Sequence, residues 1–260
     1  MVYAAPILIL TGYVILIILD QRRGLLGGAD HFPTVAHRYA AYAWLGFFLF
    51  GMSTMVTLSA LHPTQAGELR NVSFPSLFVL HYVLLIFLVG WWLLTGRPEL
   101  TRFLNLRRDP NGESELLGFA VGFGGWVVTI AAALAIGLIL KAAGLIGDDL
   151  KASPMIPWMA ALPIWKKIVL VFAAMTIEEF FYRAWLQKRV GLLLSTILFA
   201  ISHAGYGQPI MLIGIALVSL IIGFTFYKTK NLVPCIIAHG VFDSIQLFVI
   251  LPVAIKFLPT

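Results

Sequence analysis

Long apolar runs separated by short polar linkers dominate the chain. Eight apolar segments can be placed at roughly residues 2–19, 40–61, 74–95, 116–143, 165–187, 190–204, 209–227 and 232–250. A helix needs about 20 residues to cross the ~30 Å hydrocarbon core of a bilayer, and most of these segments approach that length. Segments of ~10 residues with alternating polarity, which are typical of membrane β-barrels, are not visible. The pattern therefore predicts an all-α, polytopic transmembrane helix bundle of about eight spans.

Composition strengthens this prediction. Of the 260 residues, 60% are hydrophobic and 12% are charged, whereas a soluble domain is about half apolar and a quarter charged. The net charge of +6 comes from basic residues in the linkers between spans, where membrane proteins usually carry them. This charge does not indicate a nucleic-acid partner. We expect a multi-pass integral membrane protein surrounded by lipid, in the plasma membrane if the source is prokaryotic.

Polar residues are distributed unevenly between the two halves of the chain. Residues 1–150 hold about four spans with few polar positions, and we predict that they form an N-terminal transmembrane module. His81, in the run FVLHYVLL, is the notable exception, and we interpret it as a packing residue. Residues 151–260 hold several charged or histidine side chains inside apolar segments. We predict that this second part is a helical core that carries the chemistry.

Two glycines in the fourth apolar segment have GxxxG spacing. Gly118 and Gly122 lie in the run GFAVGFGGW. Small residues at this spacing allow helix backbones to approach closely within a membrane. We favour packing between helices of the same chain, with a homodimer interface as the alternative, and the sequence leaves the oligomeric state open.

The stretch TIEEFFYRAW places Glu178, Glu179 and Arg183 inside the fifth apolar segment. A charge at the bilayer centre costs about 2.5–3.5 kcal/mol on insertion scales, so such residues face the protein interior or a wet cavity. Glu179 and Arg183 are i,i+4 neighbours and can form an ion pair on one helix face. Glu178 lies about 100° further round a regular helix. Glu178 is therefore the candidate general base, and the alternative is a structural ion network of all three residues.

Two further pairs with i,i+4 spacing lie in the next apolar segments. Phe199 and His203 occur in LFAISHAG, and His239 and Asp243 occur in CIIAHGVFDSIQ. Phe199 can form an apolar wall beside His203, and Asp243 can orient the His239 imidazole or, when protonated, donate a hydrogen bond beside it. A buried His–Asp pair can also serve only to hold helices together. Three helices that each supply a polar pair are harder to explain by packing alone.

Together these motifs resemble a known family. The patterns EExxxR, FxxxH and HxxxN/D follow one another on successive apolar helices. This order is similar to that of the CAAX-protease and bacteriocin-processing family, also called Abi, which includes the type II CAAX prenyl endopeptidases. The resemblance covers roughly residues 150–250. It implies an intramembrane endopeptidase. We expect its substrate to be a membrane-associated peptide or a lipidated protein, and we expect no cofactor, with zinc as the less favoured alternative.

The resemblance also implies roles for individual side chains. Glu178 would activate the attacking water with help from His203, while His239 and Asp243 would stabilise the oxyanion. Eukaryotic CAAX enzymes typically carry Asn where this chain has Asp243. An ionised carboxylate cannot donate a hydrogen bond, so Asp243 is either protonated or serves to orient His239. Structural support would come from Glu179, Arg183 and Phe199.

Other interpretations of the same residues stay open. Zinc could be held by His203, His239 and Glu178 or Asp243, although the chain lacks the HExxH signature of helical zinc proteases. Cys235 and His239 have the spacing of a nucleophilic dyad. The protein could also be a transporter, or a non-catalytic immunity or scaffold protein, although internal repeats typical of transporters are not visible. We favour metal-free peptide hydrolysis.

Overall fold

The computed structural model of the protein describes residues 4–26, 31–62, 66–69, 72–145, 153–206 and 208–257. Within these ranges every regular element is helical, which confirms the all-α prediction. The helices are α1 (Ala4–Arg23), α2 (Val35–Leu61), α3 (Ala66–Leu69), α4 (Val79–Leu94), α5 (Leu100–Leu104), α6 (Glu113–Ala142), α7 (Met155–Ala160), α8 (Ile164–Ala173), α9 (Lys188–Ser202), α10 (Pro209–Thr229), α11 (Val233–Ser244) and α12 (Leu251–Ala254).

Six stretches of the described residues are long and apolar enough to cross a membrane, so the protein is an integral membrane protein. They are Val35–Leu61, Phe74–Leu94, Glu113–Ala142, Ile164–Tyr206, Ile210–Thr229 and Val233–Ala254. The fourth has 43 residues and would measure ~65 Å if straight, about twice the hydrocarbon thickness. Gly191 breaks it with a φ of 81°, a conformation that glycine adopts without strain. The predicted total of eight spans stays a prediction.

The aromatic core lies where the first and second halves of the chain meet. Phe87 and Trp91 of α4 pack edge-on against Trp185, with ring centroids 4.7 and 5.2 Å apart. Phe181 stacks on Trp185 at 5.4 Å and contacts Phe48 of α2 at 5.3 Å. Offset and edge-to-face geometries of this kind are the favourable ones for aromatic pairs. The core holds α4 against the charged segment, while the division at residue 150 stays a prediction.

The GxxxG glycines pack inside the bundle. A side chain at Gly118 would collide with Ile237 of α11, and one at Gly122 would collide with the backbone of Ala238 and with Val241. The absence of side chains therefore allows α6 to lie directly against α11. This contact confirms the interpretation of internal packing.

The segment around the glutamates is not a regular α-helix. After α8 the chain forms two π-helical segments, Ala174–Glu178 and Phe180–Gln187. Their i→i+5 bonding gives wider turns, which occur mostly at functional sites. Our expectation of regular 3.6-residue geometry was therefore wrong here. Gly240 of α11 faces Met175 so closely that a side chain would collide with it, and this close approach sets α11 against the first π-helical segment.

Candidate functional site

The polar side chains of the second half converge on one cavity between the helices. The cavity has a volume of about 740 Å³, and Glu178, His203, His239 and Asp243 all line it. They come from the first π-helical segment, the C-terminal end of α9, and α11. Arg183 and Phe199 also line the cavity. The structure thus brings together the residues that the three sequence motifs supply.

Glu178 is buried and contacts a residue from the other half of the chain. Its Oε1 lies 3.2 Å from Nε2 of His81, and both side chains are at most 10% exposed. His81 comes from α4 and also lines the cavity. The interpretation of His81 as a packing residue therefore missed a direct neighbour of the candidate base. Its only sequence signal was a histidine in an otherwise apolar run.

Glu179 lies at the centre of a buried ion network beside the cavity. Its Oε2 lies 3.2 Å from Nε of Arg183, as the i,i+4 spacing predicted. Its Oε1 accepts a hydrogen bond of 2.9 Å from Nδ1 of His239. The Glu179 and Arg183 side chains are almost wholly inaccessible, and the guanidinium lies over the ring of Phe199 at 5.0 Å. The two adjacent glutamates therefore have different surroundings.

His239 lies between two carboxylates. Its Nδ1 faces Glu179, and its Nε2 lies 3.4 Å from Oδ2 of Asp243. An imidazole that donates from Nδ1 carries a lone pair on Nε2 when neutral, and an ionised carboxylate only accepts. A favourable contact between Nε2 and Asp243 therefore requires a proton on one of the two. The pair can hold one transferable proton, and Asp243, with a side chain 27% exposed, is the more accessible partner.

His203 is oriented by its own helix. Its Nδ1 lies 2.8 Å from the carbonyl oxygen of Phe199. A carbonyl only accepts hydrogen bonds, so Nδ1 carries the hydrogen and Nε2 of a neutral ring keeps its lone pair. The Phe199 ring packs 4.8 Å from the imidazole, as an apolar wall. This arrangement leaves Nε2 available as a proton acceptor.

Tyr206 is a second residue that the sequence analysis missed. It lines the cavity, and its ring packs edge-on against His203 at 5.5 Å. The position three residues after His203 was the only available signal. Its phenol is within electrostatic range of both Glu178 and Asp243.

Cys235 and His239 do not form a dyad. The Cys235 thiol is buried and donates to the carbonyl oxygens of Ile222 and Asn231 at 3.6 and 3.7 Å. Both nitrogens of His239 face carboxylates instead. Cys235 therefore packs as a small apolar residue.

The zinc alternative depends on the ring nitrogens of His203 and His239. His239 has both nitrogens directed at carboxylates, and Nδ1 of His203 faces a backbone carbonyl. Among the residues that the structure describes, no group of three or more His, Cys, Asp or Glu side chains is arranged to hold a metal ion. A zinc-bound histidine usually has its other ring nitrogen bonded to a carbonyl or a carboxylate, so the zinc site stays an alternative to the metal-free site.

Part of the chain is similar to a known peptidase family. Residues 160–245 match the family described as type II CAAX prenyl endopeptidase Rce1-like. The matched region contains all three motif pairs, while His81 lies outside it. Neither the curated proteins nor the solved structures contain a match to this chain.

Proposed function

We propose that the protein is an intramembrane endopeptidase that hydrolyses peptide bonds with a glutamate-activated water. The observation that carries this proposal is the convergence of Glu178, His203 and His239 on one cavity among membrane-crossing helices. The match of residues 160–245 to a peptidase family supports it.

Glu178 is the general base. One carboxylate oxygen contacts His81, and the other takes a proton from a water held between Glu178 and the scissile carbonyl. The water oxygen then bonds to the carbonyl carbon. His203 assists through the lone pair of its Nε2, which hydrogen-bonds the same water. General-base assistance of this kind is worth about 10²–10⁴-fold in rate.

His239 and Asp243 act on the developing charge and on the leaving group. As the carbonyl π electrons move to oxygen, the proton held between Nε2 of His239 and Asp243 is directed to the oxyanion. Hydrogen-bond donors aimed at a developing oxyanion are among the largest contributions to catalysis. When the C–N bond breaks, a proton from Glu178 or from this pair neutralises the leaving amine.

Glu179, Arg183 and Phe199 support the site without reacting. Glu179 fixes the His239 ring through Nδ1 and is held in turn by Arg183. Phe199 lies between the Arg183 guanidinium and the His203 ring. These contacts keep both imidazoles in the orientations that the reaction needs.

The substrate is a membrane-associated peptide or a lipidated protein, such as a prenylated CAAX protein. Away from its polar end, the cavity is lined mainly by apolar side chains, such as those of Trp158, Met211 and Leu247. An apolar cavity with a few convergent polar groups is the usual form of a binding site. It suits a substrate that carries an apolar group beside the bond to be cleaved.

The test is a cleavage assay with purified protein in detergent. The substrates are a farnesylated CAAX peptide, the same peptide without the farnesyl group, and a peptide library. Each is measured with and without a chelator. We expect chelator-resistant cleavage that Glu178→Gln abolishes and that His203→Ala and His239→Ala reduce strongly.

Other outcomes separate the alternatives. Loss of cleavage in chelator, restored by Zn²⁺, would support the zinc enzyme instead. Cleavage at wild-type rates by all three variants would show that the site is wrong. No cleavage of any substrate by folded wild-type protein would favour a non-catalytic role.

A further inference from the structure

His81 joins the two halves of the chain at the candidate base. Its Nε2 lies 3.2 Å from Oε1 of Glu178. Neither ring nitrogen has an aligned hydrogen-bond partner in the described part of the chain. A buried histidine normally satisfies at least one nitrogen. Catalytic hydrogen bonds are often poorly aligned before substrate binds and tighten in the complex.

The packing of α4 holds the His81 ring at this place. The buried ring of Phe78 lies 5.8 Å from the imidazole. On the following turns Leu84, Phe87 and Trp91 are fully buried in the core, and α4 packs against the first π-helical segment. The position of His81 is therefore fixed by the same core that positions Glu178.

We propose that His81 is a positioning residue for Glu178. It donates Nε2–H to Oε1, and this contact holds the carboxylate in one rotamer with Oε2 turned toward the substrate water. A carboxylate in an apolar cavity without such a donor would sample several orientations. A misplacement of about 1 Å at a reacting group can cost 10²-fold in rate. The catalytic consequence of this inference rests on the proposed function, whereas the contact between His81 and Glu178 is independent of it.

Several other polar groups face Glu178, and the test must separate His81 from them. Other groups that interact electrostatically with Glu178 come from several elements. They are His203 directly after α9, Tyr206 in the turn that follows, Tyr182 on the second π-helical segment and His239 on α11. Of the groups around Glu178, His81 is the one from α4. A substitution of His81 therefore changes the contact that the first half of the chain makes with Glu178. It leaves the residues of the three motifs unchanged.

The experiment compares His81→Leu, which removes the donor, with His81→Gln, whose amide nitrogen can replace Nε2. His37→Gln is the matched control, because His37 lies at the N-terminal end of α2 and bonds Thr34. We expect His81→Leu to lower kcat about 10- to 100-fold with little change in KM. His81→Gln recovers most of the lost rate, and His37→Gln behaves as wild type.

A second readout does not depend on activity. The infrared band of the Glu178 carboxylate is isolated as the difference between wild type and Glu178→Gln. Its frequency reports hydrogen bonding to the carboxylate, so we expect it to shift in His81→Leu and to stay near the wild-type position in His81→Gln. If His81→Leu does not fold, the ¹⁵N resonance of His81 is compared between wild type and Glu178→Gln, and we expect it to move.

The two readouts separate the possible failures. An unchanged kcat in folded His81→Leu overturns the positioning role, and so does an unchanged carboxylate band or an unmoved His81 resonance. If wild type cleaves no peptide but the band shifts, the proposed function fails and the contact between His81 and Glu178 stands.

Discussion

Two buried carboxylates, Asp20 and Glu178, have different surroundings. Asp20 directly follows the first apolar segment and has a wholly inaccessible side chain. It accepts hydrogen bonds from the hydroxyl of Tyr42 at 2.6 Å, from the backbone N–H of Leu26 at 2.7 Å, and from Arg38 at 3.4 Å. We name these residues the Asp20 cluster.

Within the described part of the chain, Glu178 has one ion-pair contact, with His81, and it lines a cavity of about 740 Å³. A carboxylate whose acceptor positions are occupied has no capacity left for a substrate or a proton. Under the proposed function, Glu178 uses an oxygen that has no such partner to accept the proton of the water. The two carboxylates are therefore alike in burial and differ in hydrogen-bond saturation and in access to a cavity.

The strongest test of this comparison is Glu178→Gln. The isosteric amide keeps the shape of the side chain but removes the base, so we expect peptidase activity to fall by about 10²–10⁴-fold. Thermal unfolding in detergent should stay near the wild-type temperature, because the carboxylate is incompletely paired. A large loss of stability with retained activity per folded molecule would place Glu178 in the same class as Asp20.

Glu179→Leu should behave in the opposite way. It leaves Arg183 as an uncompensated buried charge and His239 without its Nδ1 acceptor. Breaking a buried ion pair by removing one partner costs about 3–5 kcal/mol. We expect a marked fall in unfolding temperature and in the yield of folded protein. Unfolding at the wild-type temperature would show that the network contributes little to stability.

Asp20→Asn tests the Asp20 cluster itself. The amide weakens the charge-assisted bonds from Tyr42 and Arg38, and a disrupted buried hydrogen bond costs about 1–3 kcal/mol. We expect reduced stability while the activity of each folded molecule is unchanged. The check is specific activity normalised to folded protein after gel filtration. A specific activity reduced as far as in Glu178→Gln would contradict the structural role of the Asp20 cluster.

Cys235→Ala should have the smallest effect. The thiol faces backbone carbonyls rather than His239, so we expect activity within about twofold of wild type. The loss of one buried sulfur should destabilise the fold by about 1 kcal/mol. An activity loss comparable to that of Glu178→Gln would restore the cysteine mechanism.

The match between sequence and structure is best where the contacts are local. The apolar runs predict helices because a membrane requires backbone hydrogen bonds to be satisfied within each segment. The described helices follow the eight predicted segments closely. The i,i+4 pairs Glu179–Arg183 and His239–Asp243 form as predicted. The GxxxG packing of α6 also follows from a short motif.

The span count was harder to predict. Gly191, which breaks the 43-residue stretch, can be accommodated within an apolar helix or can end it. The helix propensity of glycine alone does not determine which of these outcomes occurs. The π-helical segments likewise have no proline or other strong local signal. Met175 of the first π-helical segment packs directly against Gly240 of α11.

By itself the sequence determined the helical membrane architecture, the residues that carry charge within it, and their local pairing. Only the tertiary structure decided that Glu179 bonds His239 and that Glu178 meets His81. These partners lie on helices far apart in the chain, and their meeting depends on how the aromatic core and the glycine contacts set the helices against one another. Residue spacing indicates which side chains share a face of one helix, whereas a cavity forms only where several helices pack together.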